Sequence, residues 1–366
     1  MIPPIAGRIP LVRRPKAPAL PLDERISHLT GLTVEPAGAS HHDLVARASG
    51  VLNYAALIAS DVGMPDLAAD LCWRQHRAFA SAAHLTGGIA VMALMPLVNI
   101  SRLLTREGDG EGAYDVLERL YRAAQQRGTA HIHGYAVDLQ GFMAEPSDHR
   151  KICEELWMAL LVDGARALAR IGRWTQAAQA MAAHRGVGTR LLDGRQIMIM
   201  SLMERGLDQQ AREAIESTAP AEPWEHTIAV LLRIHCRPEH EPAPDQELDA
   251  ALVQARALVA SPEAATAVFQ TRAGLAALDL ARGRTGPGVA LLQDAVADAA
   301  GLDAYAAREV LHHPTMAAQL SGEQTQKLTA VLTAAGLGAG ELPGAHLPSL
   351  TGAVDEAERV LRGLLA

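Results

Sequence analysis

Apolar and small residues recur along most of this chain with the spacing of amphipathic helices, and glycines interrupt them where one helical run gives way to the next. Between residues 161 and 223 such a unit appears twice. The first copy, ARALARIGRWTQAAQAMAAH, has Gly172 followed five residues later by Ala177, and the second, MIMSLMERGLDQQAREAIEST, has Gly206 followed by Ala211, 34 residues further on. Each copy predicts a helix, a glycine turn and a second helix whose small alanine allows close packing. The pattern therefore predicts helical hairpins.

The same five-residue offset occurs at three further places in the chain. These are Gly63 with Ala68, Gly108 with Ala113, and Gly283 with Gly288 in place of an alanine. A 34-residue period of such hairpins resembles the tetratricopeptide repeat, and Pro223 falls where that repeat usually ends with a proline. The glycine separations of 45, 64, 34 and 77 residues, and the scarcity of the large aromatic residues typical of the repeat, describe a divergent and irregular array over roughly residues 50–300. The resemblance implies an all-α fold, a right-handed solenoid of antiparallel helical hairpins.

The predicted organisation has four parts. Residues 1–22 are rich in proline and arginine and are expected to be extended or disordered, because proline is excluded from helix interiors. Residues 23–335 hold the helical array, which the charged, proline-bearing stretch 236–247 could interrupt. Residues 336–350 are predicted to be a flexible linker, and 351–366 a C-terminal amphipathic helix that caps the array.

Composition supports helices over strands. Hydrophobic residues make up 49% of the chain but aromatic residues only 3%, so the core must be built from Ala, Leu, Val and Met. Alanine and leucine have high helix propensity, whereas strands favour β-branched and aromatic residues. No alternation of period two is sustained long enough to require a sheet. The thirty arginines against three lysines are typical of a GC-rich bacterial genome.

Charge and cysteine content limit the expected partners. Subtracting the four cations of the N-terminal arm from the net charge of -8 leaves -12 for the remainder, which disfavours direct binding of nucleic acid. The three cysteines are far apart and form no Cys-x-x-Cys pair, so neither a disulfide framework nor a zinc site is expected, and a reducing cytoplasm fits best. No segment approaches ~18 uninterrupted apolar residues, so no membrane span is expected.

The resemblance also implies a binding groove. The first helix of each hairpin would line it, and counting back from the turn glycines places five residues there: Asn53, Asn99, Arg102, Arg166 and Gln196. Asparagine can pair with the backbone of an extended peptide, and arginine with a carboxylate or phosphate. The set predicts a groove for a peptide or small molecule with an anionic tip, the alternative being an ordinary solvated helix face.

Candidate catalytic chemistry is sparse. The segments AEPSDH and AEPWEH place Glu145 four residues before His149 and Glu222 four residues before His226, a spacing that metal ligands share on one helix face. In both, proline follows the glutamate, which is typical of a helix start. Phosphate-binding, dinucleotide-binding and nucleophile-elbow motifs are missing from the sequence. No catalytic residue, metal site or cofactor is therefore predicted.

Two functions of different classes follow. The leading hypothesis is a non-enzymatic protein- or peptide-binding scaffold or regulatory protein, with a small ligand or a homodimer as further options. The alternative is an enzyme or accessory subunit of a bacterial biosynthetic pathway, with a helical pocket containing histidine and carboxylates. A cluster of His149 or His226 with polar side chains in one cavity would favour the enzyme, and a continuous open groove would favour binding. A regulator that contacts DNA through a partner is a third, weaker hypothesis.

Overall fold

The computed structural model describes residues 9–82, 84–85, 87–143, 145–237, 241 and 243–366. Within them the fold is all-α, with one short pair of strands. The chain divides into two compact units. The first unit consists of Leu22–Ile171 and Gly338–Ala366; the second consists of Gly172–Leu337 together with the N-terminal residues up to Pro21. The array that the repeat pattern predicts over residues 23–335, with a possible break at 236–247, includes helices of both units.

Helices of the first unit are joined mainly by short turns. They are α1 (Leu22–Gly31), α2 (His41–Val62), α3 (Pro65–Ala80), α4 (Gly87–Met92), α5 (Met95–Glu107), α6 (Gly110–Gln126), α7 (Pro146–Ala159) and α8 (Ala165–Arg170), with a 3-10 turn at Gln140–Phe142 and a π-helical turn at Leu160–Gly164. The helix α2 packs against α3, and α5 packs against α6. The buried core of this unit is one continuous apolar cluster that includes Leu52, Phe79, Leu97 and Leu117.

The turn between α2 and α3 shows why the sequence folds this way locally. Gly63 has φ 94° and ends α2 in the left-handed region, which glycine enters at little cost. Gly108 ends α5 in the same way, with φ 91°. The alanines that follow, Ala68 and Ala113, have no exposed surface, because the partner helix covers them. Both turns lie where the glycine pattern predicts them.

Two strands, β1 (Thr129–Ile132) and β2 (Tyr135–Asp138), form an antiparallel hairpin after α6. The sequence pattern did not predict this short hairpin, although the fold remains all-α otherwise. His133 and Gly134 form the two-residue loop of the hairpin, and both have positive φ, 49° and 83°, as the tight turns of such loops require. Each strand has only four residues, so the alternation is too short to stand out in a helical sequence.

The C-terminal segment completes the first unit. Within the predicted linker 336–350, the backbone N–H groups of Gly338 and Gly340 donate to the carbonyls of Asp61 and Val62 at 2.8 and 2.7 Å. The last helix, α19 (His346–Leu365), begins before the predicted residue 351 and packs against α1, α2 and α3. The last two carbonyls of α2 thus pair with the predicted linker.

The second unit contains the remaining helices. They are α9 (Trp174–Ala183), α10 (Asp193–Glu204), α11 (Asp208–Glu216), α12 (Pro223–His235), α13 (Asp245–Val259), α14 (Ala267–Leu280), α15 (Pro287–Ala300), α16 (Ala304–Leu311), α17 (Pro314–Ala317) and α18 (Gly322–Ala334), with a 3-10 turn at Ala264–Thr266. Helix α10 packs against α9 and α11, and α14 packs against α13, α15 and α16. Its core side chains include Ile197, Ile228, Leu231 and Val310, none of which has exposed surface.

The unit boundary falls at the first copy of the sequence repeat. Gly172 has φ 77°, as a turn glycine should, but α8 before it belongs to the first unit and α9 after it to the second. The second copy, around Gly206, lies wholly within the second unit, where α10 packs against α11 and Ala211 is fully buried. The stretch 236–247 lies partly outside the described residues, and α13 begins at Asp245.

Candidate functional site

Three acidic residues stand at helix starts in the second unit, and the N-terminal segment of the chain contacts all three. Asp193 is the first residue of α10, Glu263 precedes the 3-10 turn before α14, and Asp303 caps α16. Acids are favoured at these positions because the helix macrodipole is positive there. We call these three residues, together with Gln196 and Ala265, the acidic edge. Residues 9–21, called the arm, lie across it.

Proline content predicts that the arm is extended or disordered, and in the structure its described residues are non-helical and bound. Residues 10–21 have no helix or strand, which agrees with the prolines, yet their contacts are defined. Ile9, Pro10 and Ala19 are buried. Residues 1–8, the other part of the predicted 1–22 arm, lie outside the described residues.

Asp303 binds the main chain of the arm. Its Oδ1 atom accepts from the N–H groups of Tyr305 and Ala306 at 2.8 and 3.1 Å and so caps α16. Its Oδ2 atom accepts from the N–H of Ala19 at 2.8 Å. Only 3% of Asp303 is exposed. One carboxylate therefore fixes the helix start and the arm together.

Gln196 and Asp193 hold the first part of the arm. The side-chain amide of Gln196 donates to the carbonyls of Leu11 and Leu191, each at 3.0 Å. One turn earlier on α10, Asp193 pairs with Arg14 at 2.5 Å between Oδ2 and Nη2. Gln196 is one of the five predicted groove residues, and its partner is a peptide carbonyl, although that peptide belongs to the same chain.

The turn before α14 supplies the central contacts. The N–H of Lys16 donates to the carbonyl of Ala265 at 2.8 Å, and Arg13 pairs with Glu263 at 2.7 Å. Gln270 shapes this turn, because its Oε1 atom accepts from the Glu263 N–H and its amide donates to the carbonyls of Leu258 and Ser261. The turn is thus also held by hydrogen bonds that do not involve the arm.

A cation also satisfies the start of α12, but there it comes from the loop between α9 and α10. Arg190 pairs with Glu222 at 3.2 Å and with Glu225, whose side chain is fully buried. Burial raises the pKa of Glu225, but Arg190 and the N–H of Leu191 outweigh it and hold that pKa below its ordinary value. An arginine beside an acid at a helix start is therefore a recurring arrangement in this unit.

The other predicted groove residues lie in the first unit, where three of them satisfy one another. The amide of Asn99 donates to Asn53, and Arg102 donates to Asn99 at 3.1 Å. Arg102 also pairs with Asp163 at 2.9 Å. Arg166 lies in α8 and is half-buried. Asn53, Asn99 and Arg102 therefore lie together in the first unit, whereas Gln196 belongs to the second unit.

An ion-pair network that the sequence analysis missed lies in the same unit. Asp61, near the end of α2, pairs with Arg25 at 2.6 Å and with Arg106 at 2.6 Å. Arg25 and Asp61 side chains are each only 2% exposed. Charged residues this deeply buried are rare, and the three come from separate helices, so spacing along the sequence does not reveal them.

The glutamate–histidine motifs mark helix starts, as their prolines indicate. Helix α7 begins at Pro146 and α12 at Pro223. His149 lies 3.0 Å from the carbonyl of Ala124 through Nε2, and His226 is exposed. A shallow cleft of about 210 Å³ between α11, α12 and α13 is lined by His226 together with Glu216, Arg233 and Gln254.

His313 and the three cysteines lie outside the two glutamate–histidine motifs. His313 accepts from the Met316 N–H through Nδ1 and lies 3.2 Å from Asp279 through Nε2, so its neutral form would donate to that carboxylate. No group of three or more His, Cys, Asp or Glu residues suited to a metal occurs among the residues that the structure describes. All three cysteines are free, and burial raises the pKa of Cys72 and Cys236 to about 12.

One helical stretch, Gly87–Glu107, is long and apolar enough to cross a membrane by length and composition, with a mean hydropathy of 1.6. Half of the 18-residue apolar segment within this stretch is buried inside the structure, as in the core helix of a globular protein.

Comparison with protein-family models, with curated proteins and with solved structures finds no match to this chain.

Proposed function

We propose that this chain is a non-enzymatic protein- or peptide-binding scaffold or regulatory protein of the cytoplasm, that its helices form a tetratricopeptide-like solenoid of hairpins, and that the acidic edge is its binding surface. The observation that carries the proposal is the way residues 9–21 are held. A non-helical segment lies across three helix starts and is bound through its main chain and its cations.

These contacts are of the kind that recognises a peptide. Gln196 binds a main-chain carbonyl, and Ala265 and Asp303 bind main-chain N–H groups, so they do not depend on the side chains at those positions. Asp193 and Glu263 add selectivity for positive charge. A segment of another protein with the same main-chain geometry would meet the same donors and acceptors.

The test uses the full chain with the arm weakened. Changing Arg13→Glu and Arg14→Glu places like charges beside Glu263 and Asp193 and should release the arm. A fluorescein-labelled peptide of residues 9–21 is then titrated into this variant, and fluorescence anisotropy reports binding. We expect saturable binding that weakens as sodium chloride rises, because exposed ion pairs are screened by salt.

Matched variants of the receptor locate the binding surface. Adding Gln196→Ala should weaken peptide binding about 5-fold, the equivalent of about 1 kcal/mol for one lost hydrogen bond. Adding Gln209→Ala is the control, since Gln209 is an exposed residue of α11 that bonds only to its own helix. Circular dichroism checks that each variant is folded. If the peptide fails to bind a folded receptor, or binds equally with Gln196→Ala, the proposal is wrong.

A further inference from the structure

We infer that the arm is an exchangeable occupant of the acidic edge, and that its competitor is a non-helical segment of a partner protein carrying two adjacent cations. This inference rests on the proposed binding function and adds two things to it, the chemistry of the partner and competition with the chain itself.

Charge defines the first requirement for the partner. The side chain of Asp193 is only 5% exposed, so removal of Arg14 would leave a buried carboxylate without that cation. At the start of α12 the unit provides Arg190 for the same purpose. The starts of α10 and α14 instead receive Arg14 and Arg13 from the arm. A segment that replaces the arm should therefore bring a cation to Asp193, and a second, adjacent cation would meet Glu263 as Arg13 does.

Arg13 pairs with Glu263, and Arg14 with Asp193, through one nitrogen, Nη2. A forked, two-nitrogen contact would select arginine over lysine, whereas a one-nitrogen contact requires only a positive charge of the right reach. We therefore expect lysine to substitute for arginine in the partner segment. Glutamine, which has no charge, should not.

Main-chain contacts define the second requirement. The edge accepts N–H groups at Lys16 and Ala19. Pro15 and Pro18, which have no N–H, directly precede these two donors. A partner can therefore contain prolines, which keep it non-helical, provided that N–H groups remain at the positions equivalent to Lys16 and Ala19.

The arm is suited to exchange because it is bound by several separate hydrogen bonds and ion pairs, each of which contributes little. The Arg13–Glu263 pair is exposed on the Glu263 side, where 61% of the side chain is accessible, and such pairs contribute little and are screened by salt. Lys16, Pro15 and Leu20 are exposed, so the segment is not enclosed. As a tethered segment, however, it is present at high effective concentration, so an untethered competitor must bind well to displace it.

The experiment compares the unaltered full chain with the Arg13→Glu/Arg14→Glu chain, using the labelled peptide of residues 9–21 as the probe. We expect an apparent affinity about 10- to 100-fold weaker for the unaltered chain, because only the fraction with a released arm can bind the peptide. Equal affinities would overturn the competition while leaving the proposed function intact. Absence of binding to the folded double variant would instead contradict the proposed function.

A peptide series tests the partner chemistry. The peptide with both arginines changed to lysine should bind the double variant within about 3-fold of the parent, and the peptide with both changed to glutamine should bind at least 10-fold more weakly. N-methylation at Ala19 should weaken binding about 5-fold, whereas N-methylation at Ala17, whose N–H has no described role, should not. Unchanged binding of the glutamine peptide would overturn the charge requirement.

Sedimentation velocity on the unaltered chain tests a different occupant, the arm of a second copy. We expect a monomer whose mass does not depend on concentration. A dimer that the Arg13→Glu/Arg14→Glu chain cannot form would overturn the inference, since the acidic edge would then bind the arm of another copy of this chain.

Discussion

Asp61 of the first unit and the pair Asp193 and Asp303 of the second are buried carboxylates that are satisfied in different ways. In the first, Asp61 pairs with Arg25 of α1 and Arg106 of α5, both part of its own helices. In the second, Asp193 and Asp303 are partnered by the arm, a segment without regular secondary structure near the chain start. The first arrangement forms when the helices pack. The second depends on a segment that belongs to none of those helices.

This difference assigns the Asp61 network to the stability of the fold and the carboxylates that contact the arm to binding. Helical partners are fixed by the buried core, so the network around Asp61 contributes to the stability of the first unit. A non-helical segment held at a few points opens more readily than a packed helix. Carboxylates that depend on such a segment are suited to exchange one partner for another, which is the property that the proposed function requires.

Removing the charge of Asp61 should have the largest effect on stability. Asp61→Asn leaves Arg25 buried without its carboxylate, and breaking one side of a buried pair costs about 3–5 kcal/mol of unfolding free energy. The matched control is Asp163→Asn, which removes the partner of the exposed Arg102 and should cost less than about 1 kcal/mol. Urea unfolding followed by circular dichroism measures both. Equal costs would contradict the distinction between the buried and exposed pairs.

Acid should destabilise the first unit through His76. Burial lowers the pKa of His76 to about 4, below the ordinary 6.5, and the positive charge of Arg77 adds to this effect. The unfolded chain therefore binds the proton first. The stability that neutral His76 contributes is fully present above about pH 6.5 and is lost as pH falls towards 4. The free energy of unfolding should therefore fall by about 2 kcal/mol between pH 7 and pH 5.

The check is urea unfolding of the parent chain and of His76→Phe at both pH values. His76 lies edge-on to Trp73 and Phe142, so phenylalanine should be accommodated there. The variant should lose about 2 kcal/mol less than the parent on going from pH 7 to pH 5. Identical pH dependence in the two chains would mean that His76 is charged in the folded protein.

Changing Gln196 in the unaltered chain should have the smallest effect, and it should be confined to the second unit. Gln196→Ala removes the hydrogen bond to Leu11 and leaves the carbonyl of Leu191 without that donor, so about 1 kcal/mol of stability should be lost. Limited trypsin digestion should also cut faster after Arg13 and Lys16, whereas the Arg14–Pro15 bond resists trypsin. Gln209→Ala serves as the control, and faster cleavage in that variant too would show that the effect does not come from the acidic edge.

Local features were predictable from the sequence because they depend on adjacent residues. The left-handed glycines at Gly63 and Gly108, and the helix starts at Pro146 and Pro223, follow from backbone geometry alone. Asn53, Asn99 and Arg102 lie on the two helices, α2 and α5, that end at these turn glycines.

Long-range features were not predictable in this way. The pairing of Arg25 with Asp61, the division of the chain at Gly172 and the contacts of the arm all join residues far apart in sequence. The prolines of the arm correctly excluded a helix there, but a proline-rich segment can be either free or bound. Acids at the starts of α10 and α16 were visible in the sequence, yet such acids also serve simply as caps.

Amide hydrogen exchange of the unaltered full chain tests the central claim most directly, with Lys16 and Ala19 as reporters. If the arm is bound and exchangeable, both amides should exchange at least 10-fold more slowly than in the free peptide of residues 9–21, yet faster than core amides of α10 and α14. They should lose this protection in the Arg13→Glu/Arg14→Glu chain. Exchange as fast as in the free peptide would show that the acidic edge does not hold the arm, and exchange as slow as in the core would show that the arm is a fixed part of the second unit.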